Sequence, residues 1–251
     1  MLKKFSNKKI TALMVVLAIV FSFILPIPVK AAEISETKNS NVTEKTDKKT
    51  VNIQILATSD LHGKFMDYDY AQGEESVGGL NQIATVVKEA KKENPNTLVL
   101  DNGDTIQGNY NHLFMNKENP MILAMNTIGY DVFSLGNHEF NFGMDKLHNI
   151  IGQANPNLHV LCGNLYRNGE RVFNPYTIKD VDGIKVAIIG VVTPHIMQWD
   201  SQNLKGYEAK NPTEEVKKII GEIKANGGAD VYVVTSHASL NGEYGDGDSA
   251  A

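Results

Sequence analysis

The chain has 251 residues, is 42% hydrophobic and carries a net charge of −5 with a single cysteine. Residues 1–32 hold five lysines and no acid, so the acidic excess of the remainder is larger still. That balance excludes recognition of a nucleic-acid polymer through a basic face, and one cysteine excludes an internal disulfide.

The N-terminus begins with Lys3, Lys4, Lys8 and Lys9, followed by an almost unbroken apolar run over 10–25 and a close of small residues ending in Ala31-Ala32. This layout predicts a secretory signal peptide over 1–32, and a protein secreted or held in a bacterial cell envelope. The run is shorter than the ~20 residues a membrane span needs, so membrane contact is expected only through the signal. Residues 33–50 are polar, without apolar periodicity, and read as a disordered linker.

Folded structure is expected from Val51 onward. Strand 51–57 runs into Thr58-Ser59-Asp60-Leu61-His62-Gly63. Leu80, Ile83, Val86, Val87 and Ala90 fall at helical spacing within 79–94. Strand 97–100 runs into Asp101-Asn102-Gly103-Asp104, and a proline-opened helix Pro120–Ile128 closes at Gly129. Strand 131–134 runs into Leu135-Gly136-Asn137-His138-Glu139-Phe140. A further helix is expected over 144–153, then a buried strand over 158–163 in which Cys162 is a packed thiol. Ile184–Val192 is a long apolar strand after the turn Asp182-Gly183. Asn211-Pro212-Thr213-Glu214-Glu215 opens a helix that ends near Gly227-Gly228. A last strand, 230–234, runs into Thr235-Ser236-His237. This alternation predicts an α/β fold with a largely parallel sheet covered by helices. Residues 241–251 are glycine-rich and acidic, and read as a loop toward a helix that does not follow, as if the chain stopped within a domain.

Four apolar strands therefore deliver Asp, His or Asn at their C-terminal ends, the edge where α/β sheets bind ligands. These residues offer the oxygen and nitrogen donors that divalent metals take. The expectation is a centre of two divalent ions with Asp60, His62, Asp104, Asn137 and His237 as ligands and Asp104 as the bridge. Two ions about 3.5–4 Å apart would hold a hydroxide and orient an in-line attack on phosphorus. His138, next to Asn137, is the candidate catalytic residue that protonates a leaving oxygen. Glu139 and Asn141 are candidates to orient its ring. The donor types admit Mn²⁺, Zn²⁺, Fe or Mg²⁺.

Asp60-Leu61-His62, Gly103-Asp104, Gly136-Asn137-His138-Glu139 and His237 together resemble the successive motifs of the calcineurin-like metallophosphoesterases. Asn137-His138-Glu139-Phe140 is similar to the 5′-nucleotidase branch. Asn141-Phe142-Gly143, the stretch from Asp60 to Tyr70, and Thr193-Pro194-His195 with the following residues to Asp200 look more like its 2′,3′-cyclic-nucleotide 2′-phosphodiesterase/3′-nucleotidase members. The resemblance implies a four-layer α/β/β/α sandwich, incomplete in this chain, with 51–251 as the N-terminal part of the catalytic domain. It implies one metal at Asp60, His62 and Asp104, a second at Asp104, Asn137 and His237, and His138 as catalytic. The expected substrates are 2′,3′-cyclic, 3′- or 5′-nucleotides.

The family pattern continues into a Gly-His-x-His segment and a base-clamping domain that this sequence does not contain. Five of seven metal ligands are then present, and the chain alone is expected to turn over little or not at all. The alternative is an inactive fragment that binds metal or nucleotide weakly; an envelope-anchored interaction protein is a third reading. Of the remaining histidines, His112 reads as a loop residue, His148 and His159 as surface or strand-end residues, and His195 is evenly balanced between lining the cleft and packing. Trp199 reads as a packing anchor.

Overall fold

The computed structural model describes residues 50–69, 72–109, 111–240 and 243. The signal peptide expected over 1–32 and nearly all of the linker over 33–50 lie outside the described residues, as does the tail over 241–251 apart from Glu243.

In chain order the elements are β1 (Gln54–Thr58), the short pair β2 (Tyr68–Asp69) and β3 (Glu74–Glu75), α1 (Leu80–Glu93), β4 (Thr97–Asp101), α2 (Pro120–Ile128), β5 (Val132–Ser134), α3 (Met144–Ile151), β6 (His159–Leu161), β7 (Leu165–Arg167), β8 (Glu170–Arg171), β9 (Tyr176–Val181), β10 (Ile184–Val192), α4 (Ile196–Trp199), β11 (Tyr207–Ala209), α5 (Pro212–Ala225) and β12 (Val231–His237). Single 3₁₀ turns cover Asn111–Phe114 and His138–Phe140.

The helix boundaries follow their capping chemistry. The Asn119 side chain accepts from the backbone N–H of Met121 and Ile122, Pro120 takes the first turn, and Gly129 ends α2 in the left-handed conformation at φ 84°. Asn211 does the same for α5, accepting from Glu214 N–H, with Glu214 and Glu215 in the positive first turn.

One sheet has the order β1-β4-β5-β6 and is parallel throughout. A second has the order β12-β10-β9, with β12 parallel and β9 antiparallel to β10. A small antiparallel sheet, β11-β7-β8, flanks them. Strand alternation divides the side chains between layers. Leu98, Leu100, Val132 and Leu161 of the first sheet pack against Val181, Val186 and Ile188 of the second. The opposite face of the first sheet, with Val99 and Phe133, packs on Val87, Met121, Met125 and Leu147 of α1, α2 and α3. Ala187 and Ile189 of β10 pack on Ile219 and Ile223 of α5. The layers therefore run helices, sheet, sheet, helix, the α/β/β/α sandwich expected from the sequence. β10 is buried from Val186 to Val192 because both its faces are covered. Cys162 is fully buried, and burial pushes its thiol up to about 12, as suits a packed side chain.

The C-terminal ends of β1, β4 and β5 share one rim, and β12 brings its own C-terminal end to the same rim. β12 is longer than its sequence suggests: pairing with β10 continues to Val192↔His237, so His237 is a strand residue and its geometry is fixed by the ladder.

Candidate metal centre

The loops after β1 and β4 run side by side. Asn102 N–H donates to Thr58 O at 2.8 Å, Asp60 N–H to Gly103 O at 2.9 Å, His62 N–H to Asp104 O at 2.8 Å and Gly63 N–H to Thr105 O at 2.8 Å. The strand ladder thus continues into the loops although the backbone is no longer extended. Asp60, His62 and Asp104 have φ of 57°, 47° and 57°, in the left-handed region that side chains beyond glycine visit at a cost of roughly 1–2 kcal/mol each. Only three other non-glycine residues share that conformation among those described, so strain is concentrated at this rim.

The loops also touch backbone to backbone. A Cβ on Gly103 would lie 2.3 Å from Gly136 N, and one on Gly63 would lie 2.4 Å from Gly108 O. Both glycines also have positive φ. Only glycine permits these crossings.

Among the described residues, Asp60, Asp104 and His237 form a group whose ligating atoms lie within 4.8 Å of one another. His237 Nε2 lies 3.2 Å from Asp104 Oδ2 and 3.1 Å from Asn137 Oδ1. Its Nδ1 sits 2.7 Å from the Asn102 carbonyl, which turns Nε2 toward the group. His62 stands beside this group and not within it. Its Nε2 is 3.9 Å from Asp60 Oδ1, and its Nδ1 is 3.0 Å from Gln107 Oε1. Two carboxylates, an amide oxygen and two imidazoles with their second nitrogens engaged elsewhere are a donor set that fits divalent cations.

Burial works against a charged His237, but the hydrogen bond and charge of Asp104 overcome it and lift the imidazole to about 9. Burial likewise opposes ionisation of Asp104, and the same His237 partner, helped by His138 N–H, holds its carboxyl below the usual range.

His138 follows on the 3₁₀ turn. Its N–H donates to Asp104 Oδ1 at 2.8 Å, its Nε2 faces Asp104 Oδ2 at 3.9 Å, and its ring meets the His62 ring edge-on at 5.2 Å. Its Nδ1 lies 2.7 Å from Asn141 Oδ1, so Asn141 holds the ring as expected from the sequence. Glu139 does something else. It is fully buried, and its two oxygens accept from four backbone N–H groups: Asp104 and Gly136 at 2.8 and 2.7 Å, Thr105 and Ile106 at 2.8 and 3.1 Å. The expectation that Glu139 orients the His138 ring is therefore corrected: it ties two loops together. Burial and the nearby Asp104 raise its pKa, against the pull of these N–H groups.

Asp101 braces the same loop from below, accepting from Thr58 Oγ1, Thr105 Oγ1 and Gly103 N–H. Burial pushes it up to about 7. Gln107 contributes to the site without any sequence motif to announce it; Asn102 and Asp200 lie within stretches the sequence singles out, but nothing local announces their contacts. An open cleft, lined by Ser59, Asp60, Asn102, Asn137 and His237 among others, leads to the group.

The other histidines lie elsewhere. His112 and His148 are exposed, and His148 meets the Phe173 ring. His159 is half-buried in β6, and His195 is buried and stacked on the half-exposed Trp199 at 5.6 Å.

This arrangement of strand ends and donors is shared with known proteins. The family model for calcineurin-like phosphoesterases matches residues 53–251. The chain belongs to the calcineurin-like phosphoesterase family. It is 36% identical over 244 residues to the trifunctional nucleotide phosphoesterase protein YfkN of Bacillus subtilis, covering 88% of this chain and 16% of that protein. It is 36% identical over 215 residues to a 2′,3′-cyclic-nucleotide 2′-phosphodiesterase/3′-nucleotidase of Salmonella typhimurium, covering 77% of this chain and 33% of the relative. The chain thus spans a sixth to a third of the length of these curated relatives. The crystal structure of calcineurin-like phosphoesterase YfkN superposes with a TM-score of 0.68 at 36% identity, covering 75% of this phosphoesterase-family chain and 62% of that one.

Proposed function

We propose that this chain carries the metal centre of an exported phosphoesterase that hydrolyses nucleotide phosphoesters, whether 2′,3′-cyclic, 3′- or 5′-. The observation that carries the reading is the convergence of Asp60, Asp104 and His237, with Asn137 at 3.1 Å from His237, from four strand ends. The substrate class is supported by relatives named for cyclic nucleotides and for 5′-nucleotides. Export is supported by the Lys-rich start, apolar run and small-residue close of 1–32. The inactive-fragment alternative has no observation in its favour at this rim.

In this reading Asp60, His62 and Asp104 would hold one divalent ion, and Asp104, Asn137 and His237 would hold a second. Bound there, Mn²⁺, Zn²⁺, Fe or Mg²⁺ would activate water and draw charge from the phosphoryl oxygens. The residues of the chain do the rest. His138 presents Nε2 beside Asp104, from where it donates a proton to the departing ester oxygen. Asn141 holds the opposite ring nitrogen. Glu139 keeps the Asp104 and Asn137 loops in register through four N–H bonds. Such preorganisation matters because donors need not reorient as charge develops.

The test is Mn²⁺ binding by equilibrium dialysis, together with phosphate release from a panel of 2′,3′-cyclic, 3′- and 5′-nucleotides. Saturable binding that is lost in Asp104→Asn supports the centre, and metal-dependent release from a nucleotide supports the activity. Equal binding by wild type and Asp104→Asn would overturn the centre. Release from non-nucleotide phosphoesters alone would overturn the substrate class.

A further inference from the structure

We infer that Asp200, at the C-terminal end of α4 and 59 residues beyond Asn141, is the positioning residue that decides which nitrogen of His138 faces the reacting atoms. The inference rests on the reading of His138 as the proton donor.

An asparagine side chain offers an acceptor at one end and two donors at the other, and either end fits against an imidazole nitrogen. Asn141 alone therefore cannot choose the His138 tautomer. Its other end removes the choice. Asn141 Nδ2 lies 3.2 and 3.1 Å from Asp200 Oδ1 and Oδ2. A carboxylate only accepts, so the amide must turn its NH₂ to Asp200 and its carbonyl to His138. His138 Nδ1 then keeps its hydrogen in both charge states, and Nε2 is the nitrogen that takes up a proton from water, as imidazolium, and hands it to the departing oxygen.

Asp200 is itself held. It is 8% exposed, and Asn203 Nδ2 donates to its Oδ1 at 3.3 Å while also donating to the Phe140 and Asn141 carbonyls at 3.1 and 3.0 Å. The 3₁₀ turn that carries His138 is thereby tied to the segment after α4. The result is a relay, His138–Asn141–Asp200, in which a neutral amide separates imidazole from carboxylate. A carboxylate bonded directly to the ring would fix the tautomer by itself. Here the amide transmits the orientation across one extra bond.

The test uses the 251-residue chain labelled with ¹⁵N, and reads the tautomer of each histidine from long-range ¹H–¹⁵N spectra. The His138 signal is assigned by its loss in His138→Gln. Wild type is expected to show the Nδ1–H form. Asp200→Ala and Asp200→Asn release the amide and are expected to populate the Nε2–H form. Asn141→Asp combined with Asp200→Ala should return the ring to Nδ1–H, because a carboxylate then accepts from it directly. Circular dichroism establishes that each variant is folded, and a variant that merely loosened the region would not be rescued by Asn141→Asp. An unchanged tautomer in both single Asp200 variants, or no return in the double variant, overturns the relay. The spectra need neither metal nor substrate, so equal metal binding by wild type and Asp104→Asn would sink the metal-centre reading while leaving this one to be decided on its own.

Discussion

Around Tyr166 each charge meets an opposite charge or an aromatic face, whereas around Asp104 several carboxylate and amide oxygens converge. In the first cluster Arg171 bonds Glu222 at 2.6 Å and Glu215 at 3.0 Å, Tyr166 donates to Glu215, Lys218 donates to the Tyr166 oxygen, and the Lys210 ammonium sits 3.9 Å from the Tyr166 ring centre. Nothing is left for a ligand to complete. At the rim, Asp60, Asp104 and Asn137 bring their oxygens together about His237, with His138 N–H and the Ser59 hydroxyl as the other donors to the two carboxylates. The first cluster fastens α5 to β7 and β8. The second is held in place by other groups, Glu139, Asp101 and the glycine crossings, and its converging oxygens leave acceptor positions that a cation would fill. The lesson is that a polar cluster which satisfies itself is structure, and one that must be braced by its surroundings is a site.

Substitutions can break that distinction. The largest effect is expected from Asp104→Asn. If a site energy of roughly 10–16 kcal/mol is divided among about four ligands, removing one weakens metal binding by about 3–4 kcal/mol, or 10²–10³-fold. Above pH 9, where His237 is neutral, the melting temperature of the metal-free protein should barely move, since an amide still accepts from His138 N–H; at lower pH it should fall with the loss of the His237–Asp104 pair. Metal analysis and calorimetry check both halves. Arg171→Ala should behave in the opposite way. It strands Glu215, 6% exposed, without its nearest cation and should cost about 3 kcal/mol of stability by denaturant titration, with metal content intact. Glu139→Gln lies between the two. One oxygen and one NH₂ cannot serve four N–H donors, so a loss of about 2 kcal/mol in stability is expected, together with a weaker metal site. A variant that lost stability and kept full metal affinity would separate bracing from binding.

The pH dependence is smaller for each unit. His237 is lifted to about 9, so the stability it lends to the metal-free fold is complete below its usual value near 6.5 and disappears as the pH rises through 9. Metal must displace that proton, so affinity should rise about tenfold per pH unit, or about 1.4 kcal/mol, up to pH 9 and then level off. A flat profile in dialysis would show that the proton does not reside on the His237–Asp104 pair. The mildest change is Tyr166→Phe, with a loss of about 1 kcal/mol and no change in metal content.

Much of the architecture was legible because it is local. Helix α2 runs from Pro120 to Ile128 as expected, since Asn119, Pro120 and Gly129 sit within a few residues of the bonds they make. The strand-end motifs gave Asp60, Asp104, Asn137, His138 and His237 for the same reason: a strand's end and the residues after it are adjacent in the chain. What stayed hidden depends on contacts between distant segments. Gln107 meets His62 across 45 residues, Asp200 meets Asn141 across 59, and Glu139 reaches back 34 to Thr105. An acid beside a histidine invites the reading that it orients the ring. On a 3₁₀ turn, adjacent side chains diverge, and Glu139 points into the core while His138 points out. The extension of β12 to His237 was hidden likewise, because it is set by pairing with β10.

The crossings of Gly63 over Gly108 and of Gly103 over Gly136 carry a lesson for protein engineering. Transplanting the candidate donor side chains onto another α/β scaffold would not reproduce this arrangement, because the loops that carry them meet backbone to backbone at these glycines. Any design that borrows the chemistry must borrow those contacts as well, and attempts to retune selectivity here should begin from the outer wall of the cleft, where residues such as Ser239 leave room for change.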